Sequence, residues 1–541
     1  MSDGRFRVPE PVNEPIKGYA PGSPERVSVA ARLRTMSSER IEAPNVIDGR
    51  DVTTGTTFVA RAPHRHDLAL ADVHAAGRDE VQRAVDAAVA AKHDWSRTPF
   101  EDRAAIFLRA ADLLAGPWRD TLNAATVLNQ SKSVLQAEID AACELIDFLR
   151  FNVAFAQRVY EEQPLSVAGE WNRTEYRPLD GFVLAVTPFN FTAIAGNLPT
   201  APAIMGNTVV WKPSEKQALS AHYLMRLFQA AGLPDGVINL VHGDGAQAVD
   251  VATRSPHLGA LHFTGSANVL SGLFRTVGER IDTFRSFPRI VGESGGKDFV
   301  LAHPSADAER LVVALGRGAF EYQGQKCSAA SRAYVPRSVW DRVRDPLADL
   351  ANSLTVGDVG EDLSTFMGAV IDGKAWAKHR DAIEQAQAAG AELLVGGKPD
   401  DTDGWFVPPT VLVTDDPRSA TMTEELFGPI LTVHVYDDGG WDDILTEVDQ
   451  ATSYALTGAV FADDRRAVQQ AADALRDAAG NFYVNDKPTG SIVGRQPFGG
   501  ARRSGTNDKA GSVLNLQRWV SPRVIKETWA APLDHRYPHQ G

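Results

Sequence analysis

The chain has 541 residues, a formal net charge of −14, 43% hydrophobic residues and 23% charged residues. That length exceeds what one compact core accommodates, so two or more domains are expected, and the acidic balance argues against general nucleic-acid binding, which needs clustered Lys and Arg. No stretch has the length of a membrane span and the opening carries no apolar leader core, while two cysteines, Cys143 and Cys327, make neither a disulfide framework nor a zinc cluster; a reducing, cytoplasmic setting is expected.

In chain order, the first fifty residues are Pro-rich and read as an arm over the surface. Apolar residues recur at helical spacing from Asp79 to Leu114 and from Ser131 to Arg158. The stretch QPLSVAGEWNRTEYRPLDG, with short alternating runs around Gly169, reads as a hairpin. Then β–α alternation begins: strands FVLAVTP (182–188), TVVWKP (208–213), VINLVHG (237–243), ALHFTG (260–265) and RIVGES (289–294), separated by helices at 214–231, 246–254 and 267–280. Continuous apolar strands joined by helices mean a parallel sheet covered on both faces. A second series follows: helix 306–320, the cysteine loop, strand RAYVP, helices 339–353 and 373–389, strand ILTVHVY (430–436), helix 441–450, strand GAVFA (458–462), helix 464–478 and strand NFYVN (481–485). Two α/β domains are the expectation. The C-terminal LQRWVSPRVIKET alternates like a strand and has no partner in either series.

Two strand-to-helix junctions suit a dinucleotide, because helix N-termini offer free N–H groups and a positive dipole to phosphate. GDGAQA (243–248) fits a G-x-G-x-x-G/A pattern but equally suits a Gly-rich turn; FTGS (263–266) offers Gly265 and the Ser266 hydroxyl. In WKPSE (211–215), Lys212 and Glu215 could donate to and accept from vicinal ribose hydroxyls, and the carboxylate would repel a 2′-phosphate, favouring NAD over NADP. The same residues suit a capping pair at a helix start.

Cys143 lies inside a helical run and reads as inert packing. Cys327, in EYQGQKCSAASR, is flanked by Gly324, Lys326 and Ser328, and Lys326 would favour a thiolate. A thiol nucleophile needs an oxyanion donor and a base. Asn190 in TPFNF and Glu293 in ESGGKD each follow or end a strand, where α/β sheets bind ligands.

PFNF, WKPSE, FTGS, ESGGKD, GQKCS, EELFGPI and PFGG, spanning residues 188 to 500, stand in the order found in the NAD(P)-dependent aldehyde dehydrogenase superfamily, which the chain resembles over nearly its whole length. NEPIKGYAPGSPER, ELIDFLRFN, AFEYQGQKCSAASRAYVP and TGSIVGRQPFGGARRSGTNDKAG look more specifically like its branch acting on L-glutamate γ-semialdehyde, and the length resembles a stand-alone enzyme rather than the fusion of proline utilisation. One departure is the adjacent Arg502 and Arg503, where the family carries a smaller second residue.

The resemblance implies an aldehyde dehydrogenase-like α/β fold: a Rossmann-type NAD domain with its N-terminal arm (1–158 and 181–299), a catalytic domain (300–500), and an oligomerisation element (159–180 and 510–541) that would give the last strand its partner. It implies Cys327 as nucleophile, Glu293 as general base, and Asn190 with the Cys327 backbone N–H as oxyanion hole. It places NAD against Thr187, Pro188, Phe189, Lys212, Pro213, Ser214, Glu215, Gly243, Phe263, Gly265 and Ser266, with Glu425 and Phe427 beside the nicotinamide ribose. The pyrophosphate would lie at FTGS, making GDGAQA a partial decoy. For the substrate, Ser328, Gly490 and Ser491 would hold the α-carboxylate, Lys326 would add charge, Phe191 and Phe498 would flank the aliphatic part, and Glu144 would face the ammonium. The implied activity is NAD-dependent oxidation of L-glutamate γ-semialdehyde to L-glutamate in proline catabolism, in a homodimer or larger homo-oligomer functionally linked to a proline dehydrogenase. The alternatives are a dehydrogenase for another small acidic aldehyde such as succinate semialdehyde, a catalytically silent binding protein, and a thiol hydrolase. The silent member would lack Cys, Asn or Glu, and the hydrolase leaves WKPSE and FTGS unexplained.

Overall fold

The computed structural model describes residue 4 and residues 6–541; the expected arm therefore lies outside the described residues at positions 1–3 and 5. Two seven-stranded sheets dominate. The first runs, edge to edge, Arg289–Glu293, Leu258–Thr264, Phe182–Thr187, Val209–Pro213, Ile238–Leu240, Asn45–Ile47 and Arg50–Val52, with the last two strands antiparallel and the rest parallel. The second runs Glu392–Val395, Thr410–Thr414, Ile430–Tyr436, Ala330–Pro336, Asp298–Ala302, Thr457–Phe461 and Asn481–Val484, parallel except for its first strand. The two α/β domains expected from the alternation are present.

Strand periodicity explains why both faces of the first sheet are covered. In Phe182–Thr187, Val183 and Ala185 pack into one apolar cluster and Phe182 and Leu184 into the opposite one, as side chains of successive residues must. Such a strand is buried almost throughout, which is why it carries no polar alternation.

Several elements differ from the sequence expectations. The arm is not irregular throughout: Pro24–Ser38 forms a helix capped by the Ser23 hydroxyl, and Asn45–Ile47 enters the first sheet. Strand Asp298–Ala302 is an addition: it follows Arg289–Glu293 after only four residues, too short a link to suggest a separate strand. The expected hairpin near Gly169 is a single strand, Glu170–Pro178, whose antiparallel partner is Val520–Thr528. That pairing is the partner the C-terminal strand lacked. The run from Ser131 is also not one regular helix. It contains a π-helical turn, Glu138–Cys143, before the helix Glu144–Glu161; such turns carry one extra residue and commonly sit at functional sites.

The chain passes from the first sheet to the second through Glu293–Asp298, and residues 498–512 return, with Ser294 N donating to Ser504 O and Thr506 N to Gly292 O. The carboxyl ends of the first sheet therefore face the amino ends of the second. The site lies in that seam.

Candidate active site

Strand Phe182–Thr187 lies between Leu258–Thr264 and Val209–Pro213, and the chain proceeds first to one side and later to the other. This reversal leaves a crevice beyond the strand ends, the place where open α/β sheets bind ligands. Thr187, Pro188, Phe189 and Asn190 leave one strand there, and Phe263, Gly265 and Ser266 leave the next. The Thr187 hydroxyl accepts from Trp211 Nε1 at 3.1 Å, fixing this strand end to the one bearing Lys212 and Pro213.

The two candidate phosphate junctions differ physically. At GDGAQA the Asp244 carboxylate accepts from Ala246 N and Gln247 N, so the helix N-terminus is already filled by an anion. Gly243, at φ +111°, instead lets the chain lie close to Ala75 and Ala76. At FTGS, the helix Ala267–Glu279 is capped only by the neutral Ser266 hydroxyl, which accepts from Val269 N at 3.3 Å. Its remaining N–H groups suit an anion. Ser214 caps the turn Glu215–Gln217, so capping accounts for Ser214 and not for its neighbours. Lys212 is buried, forms no ion pair among the described residues, and faces Gly245. Burial lowers its ammonium below the ordinary value, while Glu215 and Asp244 oppose that. These groups fit a dinucleotide: a polar pair for a ribose beside an open helix end for the phosphates.

The cysteine loop is built on strain. Tyr322, Gln323 and Gly324 have φ of 53°, 55° and 64°, a left-handed run natural only for the glycine. Gln323 holds it, donating to Ser131 O at 2.8 Å and Ala369 O at 2.7 Å and accepting from Gly368 N at 3.0 Å. Asn190 Nδ2 donates to Gln325 O at 3.1 Å, placing its amide at the loop that carries Cys327.

Cys327 and Glu293 line one cavity of about 110 Å³. Around it stand Ser328, Thr489, Gly490, Ser491, Phe191, Phe498, Phe263, Glu144 and Lys326, together with Gln136 and Asp140. Thus the seven residues expected to bind substrate line the same space, while Asn190 is not among its lining residues. The Ser328 hydroxyl bonds that of Thr489 at 2.8 Å, so the cysteine loop and the 490 loop are tied together. Glu425 accepts from Gly296 N at 3.0 Å, and the Phe427 ring meets Phe189 edge-on at 5.8 Å, bringing both beside the seam behind Cys327.

Electrostatics corrects one expectation. Lys326 does not favour a thiolate: its ammonium donates to Gln136 at 2.6 Å and to Glu321 at 3.2 Å. Burial pushes the Cys327 thiol well above its ordinary value, and the Asp298, Glu425 and Glu293 carboxyls push the same way. Burial also raises Glu293 to about 8, against the Gly500 N–H donated to it at 3.0 Å. Glu144 is raised to about 8 by burial, opposed first by Lys132.

Lys132, Gln136, Asp140 and Thr489 escaped the sequence reading. Lys132 is fully buried, pairs with Asp140, and lies 4.2 Å from the ring centres of both Phe191 and Tyr322. A lysine and an aspartate within a helical run read as solvated charges; Lys132 instead lies in the link between helices Arg119–Gln130 and Val134–Ala137, and Asp140 in the π-helical turn. Arg502 and Arg503 bond Asp449 and Asn268 and do not line the cavity.

A half-buried cysteine and glutamate sharing a cavity beside a dinucleotide-type crevice fit an aldehyde-oxidising class of protein. The chain belongs to the aldehyde dehydrogenase family, whose model matches residues 51–525. It is 47% identical to the delta-1-pyrroline-5-carboxylate dehydrogenase of Agaricus bisporus over 536 residues, covering 98% of each chain. It is 57% identical to the delta-pyrroline-5-carboxylate dehydrogenase of Mycobacterium tuberculosis, solved bound with NAD, with a TM-score of 0.96 and full coverage of both chains. Proline utilization A of Bdellovibrio bacteriovorus is 29% identical with a TM-score of 0.90, covering 99% of this chain and 55% of that one.

Proposed function

We propose that this chain oxidises L-glutamate γ-semialdehyde, the open form of 1-pyrroline-5-carboxylate, to L-glutamate with NAD as acceptor, the oxidising step of proline catabolism. One observation carries the reading: Cys327 and Glu293 share a small cavity that the loop of Thr489, Gly490 and Ser491 also lines, tied to the cysteine loop through Ser328. Names of relatives such as those from Agaricus and Mycobacterium agree with it.

In this reading the Cys327 thiol loses its proton to solvent, its sulfur attacks the aldehyde carbon, and the carbonyl becomes a tetrahedral oxyanion. The Asn190 amide and the Cys327 N–H stabilise charge that exists only then, worth about a hundredfold in rate per donor. NAD, when bound, supplies the hydride acceptor that side chains cannot provide. Collapse of the thiohemiacetal leaves a thioester on Cys327. Glu293, ionised, takes a proton from water as that water attacks the thioester and passes it to the leaving sulfur, releasing the acid and the thiol. Lys212 and Glu215 hold the adenosine ribose, the Ser266 helix end the pyrophosphate, and Glu425 and Phe427 the nicotinamide side.

Ser328, Gly490 and Ser491 receive the α-carboxylate, with Lys326 adding positive charge. Phe191 and Phe498 flank the methylenes. An incoming ammonium favours the ionised form of Glu144, which suits that residue to the other end of the substrate. The assignment of 1–158 with 181–299 to the cofactor and 300–500 to catalysis rests on this reading. The ribbon of 159–180 with 510–541, which exposes Leu165, Trp171 and Val524, is assigned to contact with a second copy. Both cysteines are free thiols, which supports a reducing, cytoplasmic setting. Among the described residues no helix is long and apolar enough to cross a membrane.

The test is initial rates of NADH formation with pyrroline-5-carboxylate, succinate semialdehyde and propanal. A strong preference for the first is expected. Preference for another aldehyde would keep the thiol chemistry and overturn the substrate, and turnover of none would overturn both.

A further inference from the structure

The N-terminal arm lies outside the stretch that matches the family model, which begins at residue 51, yet its residues reach both polar walls of the substrate cavity. The Asn13 amide donates from Nδ2 to Val493 O at 2.9 Å and to the buried Asp147 carboxylate at 2.8 Å. Its Oδ1 accepts from Arg495 Nε at 3.0 Å. All the hydrogen-bonding atoms of one side chain are thereby used on two elements, since an amide offers two donors and one acceptor oxygen. Val493 lines the cavity beside Gly490 and Ser491. Asp147 lies on the helix that carries Glu144 and Phe148, which also line the cavity.

The next residues continue the pattern. Glu14 N donates to Asp147 at 2.7 Å. Lys17 N and the Tyr19 hydroxyl both donate to Glu138 at 2.8 Å, the first residue of the π-helical turn bearing Asp140. Within the loop, Ile492 N donates to Gln496 Oε1 and Gln496 N to Ile492 O, both at 3.0 Å. The loop is thus closed on itself, tied at Thr489 to Ser328 and at Val493 and Arg495 to Asn13.

We infer that Asn13 is a positioning residue for substrate selection: it fixes the spacing between the 489–496 loop and the helix of Glu144. The inference rests on the proposed substrate, whose carboxylate and ammonium must meet both walls at once. Loss of Asn13 leaves Cys327, Glu293 and the cofactor crevice in place and removes the polar link between the two anchors, while the contact of Gly494 with Phe151 remains. A plain alkanal, which has neither charged group, depends far less on that distance.

The experiment measures kcat and KM for pyrroline-5-carboxylate and propanal in the wild type, Asn13→Ala, Arg495→Ala and the double variant. Expected for Asn13→Ala is a KM for pyrroline-5-carboxylate raised about tenfold with kcat little changed, and a ratio of kcat/KM between the two substrates lowered about as much. Arg495→Ala shifts the ratio the same way, and the double variant falls short of the product of the two single effects, because both remove one link. Should Asn13→Ala not fold, the shift in Arg495→Ala decides alone. Equal losses with both substrates would show a merely structural role and overturn the inference, as would an unchanged ratio. A wild type that does not oxidise pyrroline-5-carboxylate would overturn the proposed function first, and this inference with it.

Discussion

Cys143 and Cys327 are both free and both pushed above the ordinary thiol value by burial, yet they sit in opposite surroundings. Cys143 lies in the π-helical turn, with Arg119 donating to its sulfur at 3.3 Å and Glu138 close by. Cys327 has three carboxyls around it and no cation among the causes of its shift. Charge disfavours a thiolate at Cys143 as well, because Glu138 outweighs Arg119 there. What separates the two is access: Cys327 faces the cavity, whereas Cys143 is closed in by the arm at Pro15 and by the ion cluster of Arg119, Glu138 and Glu14. A raised value therefore marks burial at one thiol and a resting, protonated nucleophile at the other, and geometry tells them apart.

The contrast breaks most sharply at Cys327. Cys327→Ala is expected to lower steady-state NADH formation by at least about a thousandfold, since removing a nucleophile removes the covalent route. The thermal melting temperature should move little. Residual activity within tenfold of wild type would place the nucleophile elsewhere.

Next in size is Glu293→Gln, expected to slow turnover about a hundredfold or more while leaving a pre-steady-state burst of NADH, because acylation precedes the water step. Only ionised Glu293 can act as the base, and burial raises it to about 8. Wild-type thioester release should therefore rise with pH through about 8 and then level, a limb absent from the variant. The same shift has a stability sign. The folded carboxyl holds its proton to a higher pH than the unfolded one, so stability is full below the ordinary carboxylate range and is lost as pH rises towards about 8. Glu293→Gln should thus melt above the wild type by a margin that opens from pH 5 to pH 9. A melting difference independent of pH would show that Glu293 is not perturbed in the folded state.

Much of this was legible from the residues. Apolar runs such as FVLAVT and ILTVHVY announce buried parallel strands because both faces are covered, and ILTVHVY matches Ile430–Tyr436 end to end. Cys327, Glu293 and Asn190 stood out through short motifs at strand ends, and the structure gathers them at one seam. Less legible were features made by distant partners. The stretch around Gly169 reads as a hairpin, whereas Glu170–Pro178 is one strand whose partner begins more than 300 residues later. The link from Asn13 to Val493 spans 480 positions, and no periodicity records it. The π-helical turn hid as well, since one added residue leaves helical spacing almost intact over a short window while rotating Asp140 towards the cavity.

The smallest expected effect tests the quieter thiol. Cys143→Ala removes a sulfur that accepts from Arg119 at 3.3 Å, and sulfur is a weak acceptor. The guanidinium keeps Glu138, Glu14 and the Pro15 carbonyl, so no charge is left unpaired. The cost is a cavity of one atom, on the order of 1 kcal/mol, and kcat/KM should stay within about twofold of wild type. Alkylation with iodoacetamide should still inactivate this variant at the wild-type rate, because the reactive thiol is untouched. Resistance to alkylation, or a tenfold loss of activity, would give Cys143 a part in the chemistry that its enclosure by Arg119, Glu138 and the arm now denies it.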